Sequence, residues 1–277
     1  MNAIEIKNLS KHYRDFTLDN LNLTLPEGCI LGLIGENGAG KTTTMRLLLG
    51  MAKSDGGTAE VLGKEGRAVR EELGVVMDEP GLPACLTSEQ VGRLLGGLYQ
   101  SWDAAEYDRL LERLQIPRGK PYGEFSRGNR MKLGIAMALA HRPRLLLLDE
   151  PTSGLDPVVR DEVVELFSEF TRDEGHSILI SSHIVSDLER LCDYVAFLHG
   201  GKLLLCEEKD ALLERYCIWR CAPDALAAID PDAVIGKRET PYSVNALVRR
   251  EALPAGADFS PVTLEELFVA MVKEGRT

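Results

Sequence analysis

The period of the hydrophobic pattern changes several times along the chain. Apolar and polar residues alternate in residues 3–9 (AIEIKNL) and 16–25 (FTLDNLNLTL), which predicts half-buried strands. Residues 29–35 (CILGLIG) are continuously apolar, as in a strand that is buried on both faces. Residues 57–63 (GTAEVLG) and 73–77 (LGVVM) indicate two more short strands.

From about residue 87 the apolar positions recur three and four residues apart, which predicts helices and a helical block at about 86–142. After residue 143 strand and helix patterns alternate, as in a mostly parallel sheet covered on both faces. From about residue 212 the strand patterns RYCIWRC and SVNALVRR precede a closing helix, VTLEELFVAMVKEG. We therefore expect an α/β domain at 1–211, into which the helical block is inserted, and a small α+β appendage at 212–277.

Composition narrows the classes of protein that fit this pattern. The chain has 277 residues, 44% of them hydrophobic, so it can bury a core, and its net charge is −11. An acidic chain argues against a general nucleic-acid binder, but backbone amides and one lysine can still hold a nucleotide. The first residues carry charges at positions 5 and 7, so we expect no signal peptide. No apolar run approaches the roughly 18 residues of a membrane span, so we expect none.

The six cysteines are scattered and form no CxxC pair. Metal sites and disulfide frameworks usually show recognisable cysteine spacings. We therefore expect buried, reduced thiols of a cytosolic protein rather than a metal site or disulfides.

Residues 35–42 (GENGAGKT) fit the phosphate-loop pattern GxxxxGK[ST], with a predicted buried strand before them and a helix after them. Gly35, Gly38 and Gly40 allow the backbone to curve around an anion and direct its N–H groups inward. Lys41 is expected to reach the β- and γ-phosphates of a nucleotide, and Thr42 to coordinate Mg²⁺. The alternative is a glycine-rich turn with the threonine as a cap.

Residues 144–150 (RLLLLDE) form an apolar strand that ends in carboxylates. Ligands of open α/β sheets bind at the carboxyl ends of the strands, where this pattern places Asp149. We expect Asp149 to hold Mg²⁺ or its water shell, and Glu150 to polarise the water that attacks the phosphate. The pattern is weak alone, but it lies about 110 residues after a phosphate loop, which makes it strong.

The order of the motifs resembles the ATP-binding subunit of an ATP-binding cassette (ABC) transporter, over residues 1 to about 210. GENGAGKTT resembles its Walker A motif, LLLLDEP its Walker B motif with the catalytic glutamate, SGLD its D-loop and FSRGN its signature. The resemblance implies that catalysis rests on Glu150, His183 and Lys41, and that the metal contacts are Thr42, Asp149 and Asp78. It implies nucleotide contacts from Tyr13, Gly35, Glu36, Asn37, Gly38, Ala39, Gly40, Lys41, Thr42, Thr43, Asp78, Ser126, Arg127, Gly128 and Asp156.

The resemblance also implies an architecture. The fold class is an α/β P-loop NTPase core, with a mostly parallel sheet, an antiparallel β subdomain, the inserted helical subdomain and the C-terminal appendage. Two such domains meet head to tail, so that each ATP lies between the Walker A motif of one and the signature of the other. Ser126 and the amide of Gly128 would then donate to the γ-phosphate. Arg127 replaces the usual glycine, and it either adds a phosphate contact or pairs with Glu124.

Three other family positions carry weaker expectations. His183 matches the switch histidine that contacts the γ-phosphate, although a lone histidine is more often structural. Tyr13 takes the place of an aromatic residue that stacks on adenine, although a tyrosine beside a strand often only packs. Asp78 replaces the Q-loop glutamine; it either binds a water on Mg²⁺ or is an ordinary loop carboxylate.

The resemblance therefore implies an ATPase that binds ATP and Mg²⁺, dimerises on ATP and drives a separate transmembrane permease from the cytoplasmic face of the membrane. A basic residue at position 127 resembles bacterial drug and antibiotic exporters. Two alternatives are an ABC-type ATPase that acts on DNA or ribosomes, and an ATP-binding regulatory module with little hydrolysis. The substrate, the identity of the second ATP-binding subunit and the role of the appendage stay open.

Overall fold

The structure is a computed structural model and describes residues 1–64, 66–77, 81–239 and 243–274. Its strands are β1 (Asn2–His12), β2 (Thr17–Pro26), β3 (Ile30–Gly35), β4 (Gly56–Val61), β5 (Leu73–Met77), β6 (Leu145–Asp149), β7 (Ser177–Ser182), β8 (Tyr194–His199), β9 (Lys202–Glu208), β10 (Tyr216–Cys221), β11 (Val234–Glu239), β12 (Val244–Arg249) and β13 (Phe259–Pro261). These strands form three separate sheets.

The α-helices are α1 (Lys41–Leu48), α2 (Ser88–Gly96), α3 (Ala104–Arg113), α4 (Arg127–Leu139), α5 (Pro157–Phe170), α6 (Val185–Leu191), α7 (Lys209–Arg215), α8 (Pro223–Leu226) and α9 (Leu264–Glu274). Short 3₁₀ helices lie at Gly66–Glu72, Tyr122–Glu124, Pro231–Ala233 and Arg250–Ala252. Over the described ranges, no helix combines the length and the apolar character that crossing a bilayer requires.

The central sheet has the strand order β5-β6-β7-β3-β8-β9. Neighbouring strands are parallel except for β9, which is antiparallel to β8. β3, β6 and β7 are buried along their whole length, because strands covered on both faces need side chains that can leave water on both sides. The carboxyl ends of these three strands meet at one edge of the sheet. The predicted mostly parallel α/β core is confirmed.

The second sheet has the order β2-β1-β4 and is antiparallel. Its alternating pattern turns Ile4 and Ile6 of β1 inward together with Leu23 and Leu25 of β2. These side chains share a core with one face of the central sheet and with Met45 of α1. The helix that follows the phosphate loop is therefore anchored in apolar packing.

The helical block contains α2, α3 and α4. The ring of Tyr107 on α3 lies so close to α2 that a Cβ at Gly92 would be 2.5 Å from it, and its hydroxyl donates to the carbonyl of Ser88 at 2.9 Å. Burial of this ring raises the pKa of the Tyr107 hydroxyl above its usual range. α2 ends at Gly96 and is capped by Gly97, so it is shorter than the apolar pattern predicts, because adjacent glycines weaken a helix.

The C-terminal part of the chain forms an antiparallel sheet of order β11-β12-β10-β13, with α9 against it. The apolar patterns predict β10, β12 and α9 but miss the two edge strands, which are short or polar. α9 also packs on the central domain: the ring of Phe268 lies edge-on to Phe197 of β8, with 5.3 Å between the ring centroids. The sheet keeps a small core of its own around Trp219.

All six cysteines are free thiols. Cys192 is buried against Gly32, and burial raises the pKa of its thiol. The prediction of buried thiols holds for Cys192 and Cys217 only: Cys85 is exposed, and the other three are half-buried (Cys29, Cys206 and Cys221). Cys85 lies in the connection between β5 and α2.

Candidate functional site

The phosphate loop connects β3, which ends at Gly35, to α1, which begins at Lys41. Gly38 and Gly40 have φ angles of 82° and 115°, a conformation that favours glycine because it has no Cβ. A Cβ at Gly35 would lie 2.5 Å from the carbonyl oxygen of Leu198. The first turn of α1 contains no acidic side chain, so the partial positive charge of this end is not neutralised within the helix. The loop therefore has the geometry of an anion site.

Lys41 is buried, with 6% of its surface exposed, and its ammonium group lies within the loop. Its Nζ donates to the carbonyl of Gly35 at 2.7 Å and lies 3.3 Å from Oε1 of Glu150. A lysine in this position presents a compact positive charge to any phosphate that enters the loop.

Asp149 ends β6, and its carboxylate is buried. Its Oδ2 accepts a hydrogen bond of 2.6 Å from the hydroxyl of Thr42, which lies 107 positions earlier in the chain. Its Oδ1 accepts a hydrogen bond of 2.5 Å from the hydroxyl of Ser181 on β7. The structure therefore brings together Thr42 and Asp149, two of the three predicted metal contacts, and adds Ser181, which the sequence analysis missed.

Glu150 follows directly and has a φ of 53°, in the left-handed region that few residues with a side chain adopt. Its carboxylate lies between Lys41 and His183. Oε2 of Glu150 accepts a hydrogen bond of 3.2 Å from the amide of His183, and 2.5 Å separates the same oxygen from Nδ1 of the ring. The three predicted catalytic residues thus form one cluster at the carboxyl edge of the central sheet.

The signature residues start α4. Ser126 is the N-cap of this helix, and its hydroxyl accepts from the amide of Asn129 at 3.3 Å. The exposed side chain of Arg127 lies over Gly154, where a Cβ would be 3.5 Å from Cδ of the arginine. Within the described residues, no ion pair joins Arg127 to Glu124, so the interpretation that they pair is wrong.

The signature and the phosphate loop are separate within this chain. Over the described ranges, no hydrogen bond or ion pair joins residues 126–128 to residues 35–43. Asp156, a predicted nucleotide contact, is the N-cap of α5, and its carboxylate accepts from the amide of Val159 at 3.1 Å. Its contact with a nucleotide stays a prediction.

Tyr13 lies at the turn between β1 and β2, and 45% of its surface is exposed. Nζ of Lys11 lies 5.5 Å from the centre of the Tyr13 ring. The backbone amide of Tyr13 donates to the carbonyl of Phe16 at 2.8 Å. Phe16 in turn packs on the phosphate loop, since a Cβ at Gly40 would be 3.0 Å from Cζ of this ring. The hairpin that carries Tyr13 therefore packs against the phosphate loop through Phe16. No sequence motif marks Phe16 for this contact.

The other predicted contacts have the following places. Asn37 is exposed and Ala39 is buried in the loop, while Thr43 is half-buried in the first turn of α1. Oε2 of Glu36 lies 3.6 Å from Nδ1 of His199. Gly128, in the first turn of α4, packs near Leu155, to which a Cβ would be 3.6 Å away. Asp78 lies outside the described residues.

Comparison with known proteins agrees with this site. Residues 18–153 match a family model described as ABC transporter. The bacitracin transport ATP-binding protein BcrA of Bacillus licheniformis is 39% identical over 211 residues, which cover 73% of this chain and 68% of that protein. The ABC transporter ATP-binding protein YtrB of Bacillus subtilis (strain 168) is 32% identical over 287 residues, which cover 96% of this chain and 97% of that protein.

A solved structure described as the ATP binding subunit of an ABC transporter has a TM-score of 0.68 to this chain at 30% sequence identity, and the match covers 76% of this chain and 91% of that one. The fold, the phosphate loop and the carboxylate cluster agree with these similarities. The chain belongs to the ABC transporter family and is one of its ATP-binding, ATP-hydrolysing subunits.

Proposed function

We propose that this chain hydrolyses ATP with Mg²⁺ as half of a pair of ATP-binding subunits, and that it drives a separate transmembrane permease from the cytoplasmic face of the membrane. The observation that carries the proposal is the cluster at the N-terminus of α1. There the ammonium group of Lys41, the Thr42–Asp149 hydrogen bond and the Glu150–His183 contact meet beside an anion-binding loop.

The residues in the cluster fit Mg²⁺. Mg²⁺ prefers oxygen ligands, keeps several waters and is bound through one or two carboxylates together with phosphates. The hydroxyl of Thr42 and the buried carboxylate of Asp149 supply such oxygens 2.6 Å apart. When bound, the ion neutralises negative charge on the phosphates. Thr42 and Asp149 would hold it, with Asp78 as a contact through a metal-bound water.

Hydrolysis uses the remaining side chains of the cluster. A phosphate that enters the loop competes with Glu150 for the ammonium group of Lys41, which lies 3.3 Å from that carboxylate. Glu150 then accepts a hydrogen bond from the attacking water and orients it. His183, whose amide and ring already contact Glu150, donates to the γ-phosphate.

A second subunit completes the site. Ser126 and Gly128 lie at the start of α4 and make no hydrogen bond to the phosphate loop in the described part of their own chain, so they are available to the nucleotide of a partner. Amides at a helix N-terminus are suited to an anion. The exposed guanidinium of Arg127, which has no ion pair with Glu124, adds a contact with the γ-phosphate.

The transported compound is proposed from the relatives. BcrA is named for bacitracin transport. We extend this to an exporter of a peptide antibiotic or a similar drug. Purification of the tagged chain from native membranes is expected to recover a protein with several membrane spans. Recovery of the ATPase alone would contradict the proposal that a permease is its partner.

The pairing is tested by size-exclusion chromatography with light scattering on Glu150→Gln, which should bind ATP without turning it over. We expect a dimer with Mg-ATP and a monomer without nucleotide or in EDTA. The control is the double variant Lys41→Met/Glu150→Gln, which should stay monomeric because it binds ATP weakly. A monomer at saturating Mg-ATP would contradict a homodimer and require a different second subunit.

Tyr13→Ala is expected to weaken ATP binding about tenfold, because stacking of a base on an aromatic ring contributes about 1–3 kcal/mol. Calorimetric titration with a slowly hydrolysed ATP analogue measures this effect. The control Tyr13→Phe keeps the ring and should bind like the wild type. Equal affinity of the alanine variant would mean that Tyr13 does not contact the base.

A further inference from the structure

Ser181 lies beside Asp149 and Glu150, the two acidic residues at the end of β6. It is on β7, directly opposite Asp149 in the register of the parallel β6–β7 pair, and its side chain is fully buried. It makes three hydrogen bonds with Asp149 and Glu150, and the sequence analysis assigns it no role although it lies two residues before the switch histidine.

The hydroxyl of Ser181 bonds to both residues at once. A serine hydroxyl has one proton to donate and two lone pairs that accept. Here the proton goes to Oδ1 of Asp149 at 2.5 Å, and the oxygen accepts from the amide of Glu150 at 3.2 Å. One small side chain therefore fixes the rotation of the first carboxylate and the backbone of the second residue.

The first consequence concerns Asp149. Its two oxygens have different donors: Ser181 bonds Oδ1, and Thr42 bonds Oδ2. Because Ser181 on the neighbouring strand holds Oδ1, Oδ2 is directed at the hydroxyl of Thr42 in the first turn of α1. The proposed metal and phosphates lie at this end of the helix. Without Ser181, a carboxylate oxygen in a buried site would lose its donor and the group could rotate.

The second consequence concerns Glu150. A φ of 53° costs a residue with a side chain roughly 1–3 kcal/mol, and such a conformation persists only where its surroundings hold it. The amide of Glu150 lies within hydrogen-bond distance of both the carbonyl and the hydroxyl of Ser181, at 3.1 Å and 3.2 Å. This turn sends the carboxylate toward Lys41 and His183 instead of along the strand direction.

We propose that Ser181 is a positioning residue for ATP hydrolysis, which aims Asp149 at the metal and Glu150 at the attacking water. The inference rests on the proposed role of Mg²⁺. Loss of a hydrogen bond that orients a metal ligand typically costs about 10- to 100-fold in metal affinity or activity. An effect of this size is expected here on both quantities, because one hydroxyl contacts both carboxylate residues.

The same strand supplies a matched control. Ser177 starts β7 and is also fully buried, but its hydroxyl accepts from the amide of Gly28 at 2.9 Å, at the opposite end of the strand. Ser177→Ala removes the same atom from the same strand without touching either carboxylate. It therefore separates a general effect of losing a buried hydroxyl in β7 from an effect on the site.

The test compares Ser181→Ala, Ser181→Thr and Ser177→Ala with the wild type. Mn²⁺ binding to the nucleotide complex is measured by electron paramagnetic resonance, with ATP affinity in EDTA, steady-state kinetics and melting temperature measured alongside. For Ser181→Ala we expect Mn²⁺ to bind about 10- to 100-fold more weakly and kcat to fall by a similar factor. ATP affinity in EDTA should stay unchanged. Ser181→Thr keeps the hydroxyl and should recover Mn²⁺ binding, and Ser177→Ala should match the wild type.

Several results would overturn the inference. Wild-type Mn²⁺ affinity and kcat in Ser181→Ala would exclude it while leaving the proposed metal role intact. Equal losses in Ser177→Ala would show a general effect of the strand, and a wild type without metal dependence would refute both the inference and the proposed Mg²⁺. If Ser181→Ala does not fold, Ser181→Cys keeps the volume but donates only weakly. It should fold and bind Mn²⁺ poorly, and normal binding in it would refute the inference.

Discussion

Replacing Glu150 by glutamine is expected to lower kcat for ATP hydrolysis by about 10²- to 10⁴-fold, the usual contribution of a general base. Glutamine has nearly the same shape and the same backbone, so the turn at φ 53° and the contact with the amide of His183 can persist. What it loses is the negative charge that accepts the proton of the attacking water. It also loses the ion pair with Lys41, which leaves the ammonium group to the phosphates.

The measurement is steady-state phosphate release at saturating Mg-ATP, together with an equilibrium titration of ATP. Binding should be retained or become tighter while turnover is lost. The matched control is Glu169→Gln: Glu169 on α5 pairs with Arg113 on α3, and that pairing lowers the pKa of its carboxyl. Glu169→Gln should hydrolyse ATP like the wild type. Turnover within about threefold of the wild type in Glu150→Gln would mean that another group activates the water.

Replacing Lys41 by methionine is expected to weaken ATP binding by more than about 100-fold, because charge-assisted hydrogen bonds contribute about 1.5–3 kcal/mol each and this lysine is predicted to reach two phosphates. Methionine keeps the apolar stem, so the change removes mainly the ammonium group. Hydrolysis should fall with binding, since the β- and γ-phosphates lose the cation that holds them in the loop.

Lys132 provides the control for this change. It is also a buried lysine, with 8% of its surface exposed, and its Nζ donates to the carbonyl of Leu114 at 2.9 Å inside the helical block. Lys132→Met should lower the melting temperature, because a buried carbonyl loses its donor, but should leave ATP affinity unchanged. If both variants lose the same affinity, the effect of Lys41→Met is one of stability and not of phosphate binding.

The sequence by itself determined the local parts of this protein. Residues 35–42 match the phosphate-loop pattern, and glycines at positions 38 and 40 permit the positive φ angles that the loop adopts. The apolar run before Asp149 specifies a buried strand, and such strands place their last residues at the ligand-binding edge. For these reasons the α/β class, the family and the positions of Asp149 and Glu150 at the end of a buried strand could be predicted without coordinates.

The tertiary structure decided which of these parts meet. The hydrogen bond from Thr42 to Asp149, the contacts of Ser181 with both carboxylate residues and the packing of Phe16 on the loop depend on strand order and register. A shift of one residue in the register between β6 and β7 would turn the side chain of Ser181 to the other face of the sheet. Arg127 illustrates the same limit, since a neighbour in sequence, Glu124, was one expected partner, whereas in space the arginine lies over Gly154 of the D-loop. Hydrophobic periodicity and local motifs do not encode contacts between residues that are far apart in the sequence, because those contacts are set by how the sheets and helices pack.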